Sequence, residues 1–475
     1  MTEIRQNISR NPKLVYNDYV KHSSVLLMLG TLAAASAGFL LTHEIAIPVI
    51  IVGIGVVLIG WQMIPDWWRK TFALTILAMG AGSSHISWAV QIGGVAKLAA
   101  LGLLAVVTFV TTSNIPPEWA GRRHKFAIAT LWVTWGLAVV STIWSQDRGE
   151  TVAQVVAFFA FIFVLHRVST TRWIDREKLA GDLGTAYWAA FALILVGTVL
   201  ALVGFPDAVS EYSGRSQGIF SNPNRLGLIA AMTVAIGIGW AINRRSPIVW
   251  ISLLVPISQV ILSQSRTSII AVAIVLLWVF VRSGAKNLIL GGYLIVVSSL
   301  GLLAFSWNPF DGYFQRFSAM EGGDVLNSRT NAWQDVQAAL FENPLGVGWA
   351  AAPVALDEWG KAGTASGLTS VHNSYLQLIL ELGIAGVLPV VLIIILLLGI
   401  TVSRQTGLGI GLRAAAMTGL LVQITESAIF GLGQPYPYLF WLAIVAATVY
   451  PSSSRRSDNR VSALESENQK IVRTH

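Results

Sequence analysis

The sequence predicts an all-α polytopic membrane protein with about 12–14 transmembrane helices and one larger extracytoplasmic loop containing short helices. Three observations predict it. Of the 475 residues, 54% are hydrophobic and only 12% are charged, against about 25% charged in a soluble globular chain. Mean hydropathy is +0.64, and long apolar runs recur from Ser24 to Tyr450, too often for a single buried core. The runs are long enough to cross hydrocarbon as helices, which satisfy every backbone polar group internally. A net charge of +8 and a pI of 9.8 might suggest nucleic acid. The basic residues instead lie between apolar runs, so membrane topology is the simpler cause and no nucleic-acid partner is expected. The absence of cysteine excludes disulfides and thiolate metal sites. The run Ser24–Thr42 is long for a signal-peptide core, so a cleavable signal is not expected.

The elements divide into a cytoplasmic N-terminal segment (1–23), transmembrane helices (24–305), an extracytoplasmic loop (306–375), further transmembrane helices (376–450) and a cytoplasmic polar tail (451–475). Candidate spans fall near 24–42, 45–64, 71–92, 95–112, 126–145, 151–166 and 185–204. Those that follow are near 226–242, 246–263, 267–281, 287–305, 376–401, 411–430 and 436–450. With a cytoplasmic N-terminus, three quarters of the 32 lysines and arginines fall on inside segments, which fits the positive-inside rule and puts both ends in the cytoplasm. The exceptions on the outside are Lys97, Arg148, Arg215, Arg225, Arg266, Arg316, Arg329 and Lys361. Long loops translocate regardless of charge. Arg266 is different, because it sits in the short turn Ser263–Thr267 between two spans, where a cation is costly unless it snorkels or meets an anion.

Three segments carry the polar chemistry. The loop 205–225 contains Asn222-Pro223-Asn224, a turn sequence, and taken alone reads as an ordinary surface loop. In the loop 306–371, residues 327–341 form an amphipathic pattern with Trp333, Val336 and Leu340 on one stripe. Asn327 or Ser328 would cap that helix and Asn343-Pro344 would end it. Arg329 then lies in the first turn, where the helix dipole favours an acid, and a nearby anion would resolve the conflict. Third, His372 opens a helix, capped by Thr369 or Ser370, that runs on into the apolar stretch 384–400. Asn373, Gln377 and Glu381 share one stripe of it, whereas His372 and Glu381 face nearly opposite ways, so they form no direct dyad. Gly383 and Gly386 would admit a neighbouring helix. A lone interfacial histidine is commonly a packing residue; the membrane-embedded polar stripe below it argues for function.

Together these pieces resemble the O-antigen ligase and polymerase superfamily of bacterial integral-membrane glycosyltransferases. The resemblance rests, in order, on Gly218–Asn224, on Ser263–Thr267, on Ser328-Arg329 with Trp333 and Asn343–Trp349, and on His372-Asn373 followed by Glu381, Gly383 and Gly386. It implies a polyprenyl-diphosphate-linked glycan as donor and a hydroxyl acceptor, on a lipid, a glycan or a protein. It also implies an active site on the extracytoplasmic face of the cytoplasmic membrane, among membrane lipids, with inversion and without a metal or other cofactor. On this reading His372 is the catalytic base, since an ordinary imidazole is largely neutral at neutral pH. Arg266 and Arg329 clamp the diphosphate, the anion that a guanidinium fork suits. Arg215, Asn224, Asn373 and Glu381 would bind substrate. Asp207, Glu211, Asp311, Glu321 and Asp324 are rival carboxylates whose spacing fits no metal pattern. The alternatives are a repeat-unit polysaccharide polymerase, a protein O-oligosaccharyltransferase, or, from another class, a lipid-linked glycan transporter. A transporter would place basic residues near the midplane in repeated segments, and no internal repeat is evident. A non-catalytic assembly factor would leave the arginine and histidine set unexplained.

Overall fold

The computed structural model describes residues 66–112, 121–210, 214–244, 246–283, 292, 329–361, 370–401 and 407–450. The expected spans at 24–42, 45–64 and 287–305, the Asn327 or Ser328 cap and most of the loop N-terminal to Arg329 lie outside the described residues.

The chain is an all-α polytopic membrane protein. Its first five helices are α1 (Trp67–Gly82), α2 (Ser87–Thr111), α3 (Arg122–Ser141), α4 (Arg148–Thr171) and α5 (Arg176–Leu202). Next come α6 (Pro223–Arg244), α7 (Pro247–Ser252), α8 (Leu254–Leu262), α9 (Arg266–Ser283), α10 (Arg329–Glu342) and α11 (Ala352–Lys361). The last are α12 (Ser374–Leu382), a 3₁₀ turn (Gly383–Gly386), α13 (Val387–Thr401), α14 (Leu408–Val422) and α15 (Pro435–Val449). Five helical stretches are long and apolar enough to span a membrane, the last of them Ser374–Thr401 taken through its break, and four shorter apolar helices accompany them.

Several boundaries differ from those expected. The runs 71–92 and 95–112 divide at Ser83–Ile86, not at Gly93-Gly94, which stay helical. Asp66 caps α1 by accepting from the Arg69 amide at 2.9 Å. The run 246–263 is two helices. Pro256 has no N–H for the Ser252 carbonyl, and the break falls at Leu253 between them. The run 411–430 stops at Val422, and the polar stretch Gln423–Ser427 leaves helical geometry.

Buried α6 and α15 form the centre. α6 packs on α5, α7, α8, α9, α14 and α15, and Leu439–Ala446 of α15 are almost fully buried. A helix that is apolar all round belongs in such a position. Gly239 of α6 meets Gly411 of α14 backbone to backbone, a crossing that a Cβ on either residue would obstruct. α2 instead turns Val95, Phe109 and Val110 outward, each about two thirds or more exposed, as a lipid-facing surface requires.

The two ends of the bundle differ. At one end Arg69 and Arg172 cluster with Asp66 and Asp182, while nearby Lys178 pairs with Asp175 and Arg176 lies over Tyr450. Asp182 is fully buried, and its carboxylate accepts from Arg69 Nε at 2.7 Å, Arg172 Nε at 2.7 Å, Arg172 Nη2 at 2.9 Å and Trp173 Nε1 at 3.1 Å. Burial would push the Asp66 carboxyl up, but the hydrogen bond from Arg172, with help from Arg69, holds it below the usual carboxylate range. A carboxylate so lowered contributes stability above its unfolded-state pKa and loses it as pH falls through the lowered value. At the other end loops meet loops. Val347 O accepts from Gln146 N, Leu262 O from Ser216 N and Ile219 O from His85 N, at 3.0–3.2 Å. A second small core of Val336, Ala339, Val347, Ala355, Leu356, Val371 and Leu380 caps this end and joins α10, α11 and α12. That cap positions the candidate site.

Candidate active site

The site is built where four chain reversals converge. Each supplies one or two polar side chains, and three of these, Arg329, Asn224 and His372, meet Glu426, a residue that lies just beyond the helical end of α14.

Arg329 is the first residue of α10, and its Nη2 donates to Glu426 Oε1 at 2.9 Å. The first-turn arginine thus has the anion its helix dipole demands, delivered by another segment. Asn224, second in α6, donates from Nδ2 to the same Oε1 at 3.1 Å. Arg215 is buried; its Nε donates to Ser263 O at 2.7 Å and its Nη2 to Asn224 Oδ1. Arg215 therefore acts one bond removed from Glu426, orienting Asn224 so that its amide faces the carboxylate. His372 Nδ1 lies 3.7 Å from Glu426 Oε2, within ion-pair range and beyond a direct hydrogen bond. Arg266 opens α9, and the adjacent Thr267 Oγ1 lies 2.6 Å from Thr425 Oγ1, next to Glu426 in sequence.

The histidine is held by its backbone. His372 has φ 51°, the left-handed region that a non-glycine residue rarely occupies, and Gln264 in the Arg266 turn has φ 48°. Such conformations persist where the surroundings over-determine them. Here Trp333 Nε1 of α10 donates to Val371 O at 3.1 Å, and Asn373 N donates to Ser427 Oγ at 3.1 Å, one residue on each side of His372. Ser374 N donates to Gln423 O at 2.9 Å, and Ser374 Oγ accepts from Ala428 N at 2.8 Å. The segments bearing His372 and Glu426 are thereby laced together.

Two expectations are corrected. The helix after His372 begins at Ser374, and its cap is Asn373, not Thr369 or Ser370; Asn373 Oδ1 accepts from the amides of Tyr375 and Leu376 at 3.0 Å. It also does not run unbroken into the apolar stretch. At Gly383, φ 64°, it gives way to the 3₁₀ turn, and the close neighbour of Gly383 is the segment Pro344–Gly346, not another helix. The carbonyls of Leu380 and Glu381 accept from Val347 N at 3.0 Å and Gly348 N at 2.9 Å, which satisfies the helix end.

Glu381 is not among the groups that contact Glu426, and with His372 outside the helix its relation to that histidine is not set by helical angle. It is buried, accepts from Gln377 Nε2 at 2.7 Å and lines a neighbouring cavity. The residue missed by sequence reasoning is Glu426. An ionisable group inside an apolar run was the available signal. Of the rival carboxylates, Asp207 is described, and Glu211, Asp311, Glu321 and Asp324 lie outside the described residues.

Chemically, the arrangement joins a histidine, a carboxylate beside one ring nitrogen and arginines at the starts of two helices. It can accept a proton and hold an anion within one small volume. Residues 251–391 match the O-antigen ligase family model, under a third of the chain. The match covers Arg266, Arg329, His372, Asn373 and Glu381, and excludes Arg215, Asn224 and Glu426. It supports placement in the O-antigen ligase and polymerase superfamily, and a glycosyltransferase-like enzyme at that coarse level. No curated protein matches the chain.

Proposed function

We propose that the protein is an O-antigen ligase-like glycosyltransferase, moving a glycan from a polyprenyl-diphosphate donor to a hydroxyl acceptor on the outer face of the cytoplasmic membrane. The single observation that carries this reading is the convergence of Arg329, Asn224 and His372 on Glu426. The charge pattern supports the outer face, because the arginine-rich Asp182 cluster occupies the opposite end of the bundle.

In the proposed step the acceptor oxygen attacks the anomeric carbon from the face opposite the diphosphate. The bond from that carbon to the phosphate oxygen breaks, its electron pair leaves with the diphosphate, and configuration inverts. Glu426 beside Nδ1 favours the tautomer with hydrogen on that nitrogen, leaving the Nε2 lone pair to take the acceptor's proton. Arg329 and Arg266 meet the charge that develops on the departing oxygens, the kind of stabilisation that weighs most in such reactions. Arginine supplies that charge in this scheme, so the transfer is read as metal-independent.

The test is transfer by the purified full chain from a lipid-linked glycan to candidate acceptors with chelator present. Arg329→Ala is expected to lower kcat/KM for the donor by about 100-fold. Retained configuration, or activity that chelator abolishes and a divalent ion restores, would overturn the mechanism. The product's new linkage, to a lipid, a growing glycan or a polypeptide, assigns the chain as ligase, polymerase or protein O-oligosaccharyltransferase.

A further inference from the structure

Two exceptions to the charge bias lie beside the Glu426 centre, and of the two Arg225 feels the Glu426 charge. Lys97 of α2 and Arg225 of α6 line the same cavity of about 340 Å³. Lys97 lies in a stretch apolar enough to span a membrane. Its stem crosses Gly82, where an added Cβ would meet Cδ at 3.3 Å, and its ammonium sits 3.2 Å from a Cβ built on Gly433. Among the described residues Lys97 forms no ion pair. A cation at such depth is costly and marks function by default. Arg225 is half-buried, donates to Ser221 Oγ at 2.9 Å and feels the Glu426 carboxylate.

The cavity's other polar groups come in two pairs. Gln154 donates to Glu150 on α4 and Gln377 to Glu381 on α12, each across one helical turn at 2.7 Å. Both carboxylates are engaged by their own glutamine and by neither cation. A carboxylate beside a carboxamide offers acceptors and donors together, the mixture that recognises vicinal hydroxyls. The volume falls in the range of small-molecule sites, about 300–1,000 Å³. The lining also reaches Ser374 and Ser427, next in sequence to Asn373 and Glu426.

We propose that this cavity is the acceptor subsite and takes a saccharide bearing an anionic substituent, a carboxylate or a phosphate ester. Lys97 and Arg225 hold the anion, and the two glutamine–glutamate pairs hold the hydroxyls. The word acceptor rests on the proposed function; the binding itself does not. A neutral sugar would leave the Lys97 ammonium without a counter-charge, which the anion supplies. The acceptor fits better than the donor because the donor's charge is met by Arg329 and Arg266, whereas the cavity abuts the segment that carries the base.

The experiment is saturation-transfer NMR on the detergent-solubilised full chain with glucuronate, glucose 6-phosphate and glucose. Both anionic sugars are expected to bind about tenfold more tightly than glucose, the difference of one ion pair. Lys97→Gln and Arg225→Gln should each erase that preference, while His372→Ala keeps it. Equal affinities, or no saturable binding, overturn the proposal and leave the transfer assay to judge the His372 mechanism separately. In that assay, with an anionic acceptor, Lys97→Gln should raise the acceptor's KM about tenfold and leave the donor's unchanged. A rise confined to the donor overturns the acceptor assignment.

Discussion

His372→Ala is expected to lower kcat for glycan transfer by about 100- to 10,000-fold, the range of a lost general base, with donor binding retained. In the proposed mechanism donor binding survives because the anion is assigned to arginines on α9 and α10, not to the imidazole. Glu426→Ala should cost a comparable factor by a double route. It removes the group beside Nδ1, and it frees Arg329 and Asn224 from their shared carboxylate oxygen. Because the residues act as a unit, the double variant should be little worse than either single one. Single-turnover kinetics and donor-binding titrations on each variant separate these effects. Full transfer by a correctly inserted His372→Ala protein would sink the mechanism, and strictly multiplicative losses would sink the coupling to Glu426.

Asp182→Ala is expected to destabilise the bundle by about 3–5 kcal/mol, the cost of breaking a buried ion pair from one side. Arg69 and Arg172 would lose the carboxylate that both engage at 2.7 Å, and Trp173 its acceptor. Asp66 compensates only in part. It lies 2.7 Å from Arg172 but 3.6 Å from Arg69, and its side chain is 37% exposed. Thermal unfolding in detergent measures the loss. Transfer by the surviving folded fraction should be near normal, because the cluster occupies the end of the bundle away from His372. An unchanged unfolding midpoint would show that the network is dispensable.

The helical architecture was legible in the sequence because lipid imposes a length and an apolar composition that few other structures share. Breaks inside apolar stretches were not. Gly93-Gly94 looks like a boundary yet stays helical, because small residues let α1 and α2 pack closely there. The true break, Ser83–Ile86, has no glycine or proline and is fixed by tertiary bonds, including Ser83 Oγ to Gly433 O at 3.1 Å. The resemblance brought out Arg215, Asn224, Arg266, Arg329 and His372; the structure gathers Arg215, Asn224, Arg329 and His372 around Glu426, and for Arg266 it places the neighbouring Thr267 against Thr425. Glu426 escaped because hydropathy averaged it into the run 411–430, where the stretch Gln423–Ser427, polar except for Ile424, ends the helix. Its partners are separated by up to about two hundred positions, a distance at which only the fold can pair them. The helical angle that set Glu381 apart from His372 assumed one continuous helix, whereas His372 lies before the Asn373 cap, so their separation is fixed by the turn and not by that angle.

The carboxylate tethered beside Arg329 has a consequence for discrimination among anions in the membrane. A covalently linked competitor acts at a high effective concentration, of millimolar order or above. Singly charged phospholipid headgroups, abundant at any bilayer surface, must displace it to reach the guanidinium and gain little by doing so. A diphosphate brings more charge and more oxygens, and it can engage arginines on two helices at once. On the proposed function, occupancy by Glu426 would therefore work as a filter by valence, keeping the resting site clear of bulk lipid.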